Sequence, residues 1–392
     1  MSGMTTRGET LQLATRGSDL ALRQAATVRD SLSSRRLSVE LVEVETTGDQ
    51  IRDELIHRLG KTGAFVRSLD EKVLDGELDA AVHSMKDMPT ERPERLVVAA
   101  VPERAAAEDV LVTPDGRSLD ELPEGATVGT SSLRRKAQLL AERDDLTVEP
   151  LRGNVDTRIA KLLAPSLQQE HQERHEAEQE HKGDAGDGDD ADLDADEEEE
   201  HPYDRTVEEW FDDLTEFERR AMERDPDVEY DAIVLAKAGL HRAGLTRYVG
   251  MSDLDPDRFV PAPGQGALAV TAVDGDLALD IKDRLDDPQT RVETTVERTI
   301  LEELGGGCVA PIGVHAHLEG GVVHTRVRVL SQDGTEEVSV GRDIPAEYHI
   351  DAAQDLAAEL AEQGADDLIA EAKRDSTEAD DDASTAREED EE

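Results

Sequence analysis

The sequence is poor in cysteine. One residue of 392 is Cys, so no intrachain disulfide framework can form, and a reducing compartment is expected. Positive charge is scarce as well: 43 Lys and Arg stand against 93 Asp and Glu, a formal net charge of −50. Phosphate backbones need a basic surface, so nucleic acid is excluded as an expected partner. No apolar run reaches the ~18 residues of a membrane helix. Residues 1–10 lack the apolar core of a signal peptide, so a cytoplasmic protein away from membranes is expected. Aromatics are few, with one Trp, four Tyr and four Phe, and aliphatic side chains at helix and strand periods must therefore supply the cores. At ~100–200 residues per domain, the length implies two or three domains.

The acidity is uneven. Residues 170–229 hold 27 acidic and 6 basic side chains, residues 375–392 hold 10 and 1, and the remainder is still net −20. Of the 43 basic residues 9 are Lys and 34 are Arg. This suits a cytosol with high salt, in which self-repulsion is screened and a carboxylate surface keeps the chain dissolved. Two acidic appendages on an ordinary protein are the plainer alternative. Residues 168–200 have almost no apolar side chains and are expected to be disordered, as is a tail over 374–392. Trp210, Phe211, Leu214, Phe217 and Ala221 fall near helical spacing and predict an amphipathic helix over 206–224. His171, His175, His181 and His201 in this insert are read as scattered histidines of a solvated tract, and no metal site is expected.

Elsewhere short apolar strands alternate with amphipathic helices. The strands are expected at 11–15, 37–45, 80–83, 96–101, 110–113, 127–129, 147–151, 232–236 and 268–271. Helices are expected to begin near Asp19 and to span 65–74, 132–141 and 155–163. Such alternation indicates α/β architecture with open, mostly parallel sheets. The end differs: helix 290–304, a Gly305–Gly306–Gly307 break, strands 313–317 and 322–330, and helix 352–372 suggest a small α+β unit.

In open sheets ligands sit beyond the carboxyl ends of the strands. Gly129–Thr130–Ser131–Ser132–Leu133–Arg134–Arg135 follows a strand and opens a helix, which makes an anion cradle of free N–H groups, hydroxyls and guanidiniums. Thr and Ser are also ordinary helix caps. Leu151–Arg152–Gly153–Asn154, with Arg158 beyond it, repeats the pattern, and Arg16 ends the first strand. Five Arg at strand ends suit a ligand with several carboxylates; pairing with surface carboxylates is the alternative. His83–Ser84–Met85–Lys86–Asp87 places a carboxylate beside a cation, able to steady a developing positive charge or pass protons, unless it is a solvated loop. His83 reads as a packed, hydrogen-bonded side chain. Cys308, after a glycine run, is either an exposed nucleophile or a small buried hydrophobe.

Taken together these motifs, with Ala14–Thr15–Arg16–Gly17–Ser18, Met88–Pro89, Thr157–Arg158, Pro263–Gly264–Gln265–Gly266–Ala267 and Gly306–Gly307–Cys308, resemble the porphobilinogen deaminase (hydroxymethylbilane synthase) family. The order agrees over about 10–163 and 230–370. The resemblance implies two lobes like type II periplasmic binding proteins, over 1–104 with 266–285 and over 105–163 with 230–262. It implies a C-terminal domain over 288–373 and places the insert, 164–229, outside the family pattern. It further implies a dipyrromethane cofactor thioether-linked to Cys308 and a transferase of tetrapyrrole (haem) biosynthesis that condenses four porphobilinogens head to tail with loss of ammonia. Asp87 matches the catalytic Asp of the family. Arg16, Ser18, Lys86, Thr130, Ser131, Ser132, Arg134, Arg135, Arg152, Gly153, Arg158, Arg242 and Gln265 match binding positions, and Phe65 matches a ring near the loop of Lys61, Thr62 and Gly63. The porphobilinogen substrate is the expected partner, and a monomer is expected.

This chain departs from the family in three places. A Lys is usual where Thr62 stands, an Arg where Thr47 stands, and a Gln follows the Cys where Val309 stands here. A non-catalytic two-lobed binder of polycarboxylates is the competing reading; it would require neither Cys308 nor Asp87.

Overall fold

The computed structural model describes residues 9–35, 37–44, 62–184, 203–225, 227–307 and 310–375. In chain order the first sheet region comprises β1 (Glu9–Arg16), α1 (Asp19–Leu32), β2 (Leu37–Val44), α2 (Thr62–Leu74), β3 (Ala80–Ser84) and β4 (Leu96–Ala100). The second comprises β5 (Asp109–Thr113), β6 (Thr127–Gly129), α3 (Leu133–Glu142), β7 (Thr147–Glu149), α4 (Val155–Asp184), α5 (Val207–Asp213), α6 (Glu216–Met222), β8 (Ala232–Ala236), α7 (Lys237–Ala243) and β9 (Gly250–Asp253). The chain then returns through β10 (Leu268–Val273) and α8 (Asp276–Leu285). It closes with α9 (Pro288–Glu303), β11 (Ile312–Glu319), β12 (Val322–Leu330), β13 (Glu337–Pro345) and α10 (His349–Glu362).

Two five-stranded sheets, ordered β2-β1-β3-β10-β4 and β7-β6-β8-β5-β9, stand beside a three-stranded sheet β11-β12-β13. This is the α/β architecture of two open mixed sheets with a small C-terminal sheet unit that the resemblance implied. Each crossing between the large sheets delivers an antiparallel strand into the sheet it enters. β5 lies antiparallel between β8 and β9, and β10 antiparallel between β3 and β4. Those two insertions bring both sets of strand ends to one gap.

Local chemistry explains the elements around that gap. Ser18 accepts from the Ala21 N–H and caps α1, whose Ala25, Val28 and Leu32 recur at helical spacing and are buried. They pack with Leu11, Leu13 and Val270 in the core of the first sheet. In the second sheet, Val110, Ile233 and Leu240 pack with Leu151 and Ile159. The C-terminal unit buries Val296 and Ile300 of α9 against Val314, Val327 and Leu356.

Three expectations need correction. The helix expected at 155–163 runs on to Asp184 through Pro165, so 168–184 is helical rather than disordered. Pairs at i,i+4 support it, among them Gln169–Glu173, Gln172–Glu176 and Arg174–Glu170. The amphipathic stretch 206–224 is two helices, because Thr206 and Thr215 each build a capping box, with Glu209 and Glu218, and the second starts a new helix after Leu214. The C-terminal helix breaks after Glu362 at Gly364, where φ is +99°, and residues 365–375 are helical beyond it. The disorder expected over 185–200 and 376–392 falls outside the described residues.

Candidate functional site

Between the two large sheets lies a cleft of about 300 Å³, within the range of small-molecule sites. Strand ends and helix starts build it: Arg16 at the end of β1, Ser18 at the start of α1, His83 and Ser84 at the end of β3, Ala236 at the end of β8, and Val155 opening α4. Among the described residues its charged lining is Arg16, Lys86, Arg135, Arg158 and Arg242 against the single carboxylate Asp87. In a chain of net charge −50, five cations around one acid form a local positive field suited to a ligand with several carboxylates.

Withdrawal from water pulls the Lys86 ammonium below its ordinary range. Asp87 opposes this and Arg135 adds to it. Burial, with Arg135 nearby, brings the Arg158 guanidinium down to about 10, and burial lowers Arg242 as well. Both arginines stay charged near neutrality. Arg158 Nε donates to the Gly153 carbonyl at 2.8 Å, and Arg242 Nη2 donates to that of Gly266 at 2.9 Å. Gly153 has φ +112°, and a Cβ there would meet Thr157 Cγ2 at 2.5 Å, so only glycine allows this turn. Neither the Asp87 carboxylate nor the Lys86 ammonium makes a hydrogen bond among the described residues. His83 is packed and bonded as expected, 2.9 Å from Asp70 Oδ1 and 3.0 Å from Thr271 Oγ1.

The cleft lining also includes Gly153 and Gln265. It does not include Thr130, Ser131, Ser132, Arg134 or Arg152. The three hydroxyls shape the turn instead. Thr130 Oγ1 accepts from the Ser132 N–H, Ser131 Oγ donates to the Leu151 carbonyl, and Ser132 Oγ caps α3 through the Arg135 N–H. Arg134 is buried, donating to Asp109 Oδ2 and the Val260 carbonyl, each at 2.7 Å. Arg135 faces the cleft but donates to Asp109 Oδ1 at 2.7 Å and to the Val234 carbonyl at 3.2 Å. Arg152 is half-buried and directly precedes Gly153 of the lining. Phe65 lies in α2, but its side chain, like Lys61, Cys308 and Val309, lies outside the described residues.

Asp109 was not legible in the motifs. It opens β5 and is 1% exposed. Burial works against its charge, but the Arg134 and Arg135 guanidiniums outweigh that and hold the carboxyl well below the usual range. Gln265 Nε2 reaches the same carboxylate at 2.8 Å and the Ala107 carbonyl at 2.6 Å. Both crossings between the sheets are thus laced together under the cleft floor. Arg104 on the first crossing also forms a two-pronged pair with the fully buried Glu297 of α9, at 2.8 and 3.0 Å.

A polycarboxylate cofactor is compatible with these side chains. The charged lining supplies five cationic donors and a carboxylate left without a hydrogen bond, and Arg135 Nε is buried without a partner. Among the described residues no group of three or more His, Cys, Asp and Glu side chains could hold a metal ion.

The family model described as porphobilinogen deaminase, dipyromethane cofactor binding domain, matches residues 11–169 and 217–280. The model described as porphobilinogen deaminase, C-terminal domain, matches 292–363. A Halobacterium salinarum protein named probable porphobilinogen deaminase is 53% identical over 388 residues, covering 93% of this chain and 98% of its own. A Methanosarcina acetivorans protein of the same name is 38% identical and covers 92% and 94%. A Sulfurimonas denitrificans porphobilinogen deaminase is 34% identical and covers 93% and 97%. With the cation-lined cleft, the two inserted antiparallel strands and these nearly end-to-end matches in agreement, the chain belongs to the porphobilinogen deaminase family.

Proposed function

We propose that the cleft condenses porphobilinogen head to tail, four units to a linear hydroxymethylbilane with release of ammonia, as a monomer in the cytoplasm. A dipyrromethane attached at Cys308 would supply a tethered pyrrole end for chain growth. Arg16, Arg135, Arg158, Arg242 and Lys86 hold the acetate and propionate groups that each pyrrole carries. Arg152, next in sequence to Gly153 of the lining, adds a further cation. Ser18, Gly153 and Gln265 shape the cavity around those groups. Asp87 faces the positive charge that develops on porphobilinogen as the C–N bond breaks and ammonia leaves; once the terminal pyrrole carbon has formed the new C–C bond, its carboxylate takes the proton that carbon sheds and passes it on to the released ammonia.

One observation carries this reading: among the described residues Asp87 is the lone acid in a cleft lining otherwise charged by five cations, so its carboxylate is available where a cation must form. Intact mass tests it. Native protein should carry a fixed extra mass that Cys308→Ser removes, and short incubation with porphobilinogen should add steps of one pyrrole each. Active protein of unmodified mass would overturn attachment at Cys308. Asp87→Asn should keep the extra mass and turn over about 10²-fold more slowly, or worse; a near-normal rate would refute its catalytic role.

A further inference from the structure

The motifs single out Asp87 and Cys308 but not Arg298, which lies on α9, the helix leading into the glycine run before Cys308. Its side chain leaves the C-terminal unit and reaches the turn Met85–Asp87 of the first lobe. Nη1 donates to the carbonyls of Met85 and Met88, each at 3.2 Å, and Nη2 to that of Pro89 at 2.7 Å. These are carbonyls that so short a turn leaves at its end, where a cation is the favoured partner. The Met88 N–H, 3.1 Å from the Met85 carbonyl, closes the turn itself.

The opposite side of the turn is gripped too. Gly264 has φ +75°, and a Cβ there would stand 2.8 Å from Met85 Cγ and 3.3 Å from the Lys86 nitrogen. The Gly264 N–H donates to Glu297 Oε2 at 2.6 Å. Consecutive residues of α9 therefore clasp the Lys86–Asp87 turn and the crossing it leans on. Because neither the Asp87 carboxylate nor the Lys86 ammonium is hydrogen-bonded among the described residues, the backbone of the turn sets where that carboxylate stands. Burial, with Arg92 nearby and Glu302 opposing, brings Arg298 down to about 10, so it remains a cation near neutrality.

We propose that Arg298 is a positioning residue, whose grip on the Met85, Met88 and Pro89 carbonyls fixes the Asp87 carboxylate in the cleft and couples that turn to the helix leading to Cys308. The proposal rests on the catalytic reading of Asp87. A planar guanidinium sets its donors on two separated nitrogens in a fixed plane, as these three carbonyls require, whereas an ammonium offers all its donors from one point.

A double-mutant cycle tests it, using full-length protein with porphobilinogen: wild type, Arg298→Gln, Asp87→Asn and the pair. Intact mass checks cofactor loading of each, and thermal unfolding checks folding. Arg298→Gln should carry the cofactor mass and slow each addition by about 10–100-fold, with KM within about threefold. In the Asp87→Asn background the same change should cost less than about threefold, because its target is already gone. A wild-type rate for Arg298→Gln with Asp87→Asn slow overturns this proposal alone. Equal losses in both backgrounds also overturn it, since a merely structural residue acts independently of Asp87. A wild-type rate for Asp87→Asn overturns the catalytic reading and this proposal together. If Arg298→Gln does not fold, Arg298→Lys keeps the charge and loses the fork; it should be slower than wild type, and wild-type turnover would again sink the proposal.

Discussion

Asp109 is one carboxylate held by two guanidiniums with almost no water, and its neighbours in sequence give no hint of that. An acid at the head of an apolar strand reads as a strand boundary. Burial makes it a hub, because an unpaired charge there would cost several kcal/mol. Asp109→Asn should therefore destabilise the fold by about 3–5 kcal/mol, read from denaturant midpoints; a change below about 1 kcal/mol would show that the pair is not needed. The pH dependence follows from the depressed carboxyl. The stabilisation is fully present above the unfolded-state value near 4 and is lost as pH falls from there towards the folded-state value. The gap between wild type and Asp109→Asn should thus narrow below about pH 4, and a constant gap would refute the pairing. Arg134 shares this logic. Its motif matches a binding position, yet its side chain serves Asp109 and the Val260 carbonyl, since a helix start offers side chains to both the cleft and the core.

The acidic insert shows how elements escape composition. Gln, Glu and His predict disorder because they bury little, but α4 extends through 164–184 on i,i+4 pairs and on contacts made far along the chain. Gln168 donates to the Met222 and Arg224 carbonyls, and Phe217 meets Tyr248 with ring centroids 4.7 Å apart. Arg174 lies 4.3 Å from the Tyr203 ring centroid and 5.3 Å from that of Trp210, as in cation–π contact. The family match leaves 170–216 uncovered, whereas Phe217 and Ala221 belong to the core of the second sheet. The two ends of this stretch should therefore behave differently. Phe217→Ala should cost about 2 kcal/mol, less than a fully buried ring. Replacing 185–202, which the family match leaves uncovered, by a short Gly-Ser linker should leave turnover within about twofold at high salt. Loss of activity in the linker variant would mean that the acidic stretch is part of the working enzyme. Strand β13 escaped notice for a related reason: most of its side chains are exposed and Gly341 interrupts its alternation, so its pairing with β12 becomes visible only in the sheet.

Over the molecule, an anionic exterior surrounds a cationic cleft. At net charge −50 self-repulsion is large, and salt near 1 M shortens its reach to ~3 Å. Thermal midpoint should rise with KCl up to molar concentrations, and turnover with it; stability that ignores salt would contradict the halophilic reading. Order, spacing and side-chain type sufficed for the alternating α/β pattern, the arginines at strand ends and the motifs that carry the family resemblance, because local periodicity and short motifs are written in contiguous residues. Which arginines face the cleft, which one turns inward to Asp109, and how α9 reaches across to the Asp87 turn could not be read there. Those outcomes depend on contacts between residues 25 to more than 200 positions apart, and burial, which sets the strength of each charge, exists only once the two crossings and the third sheet have come together.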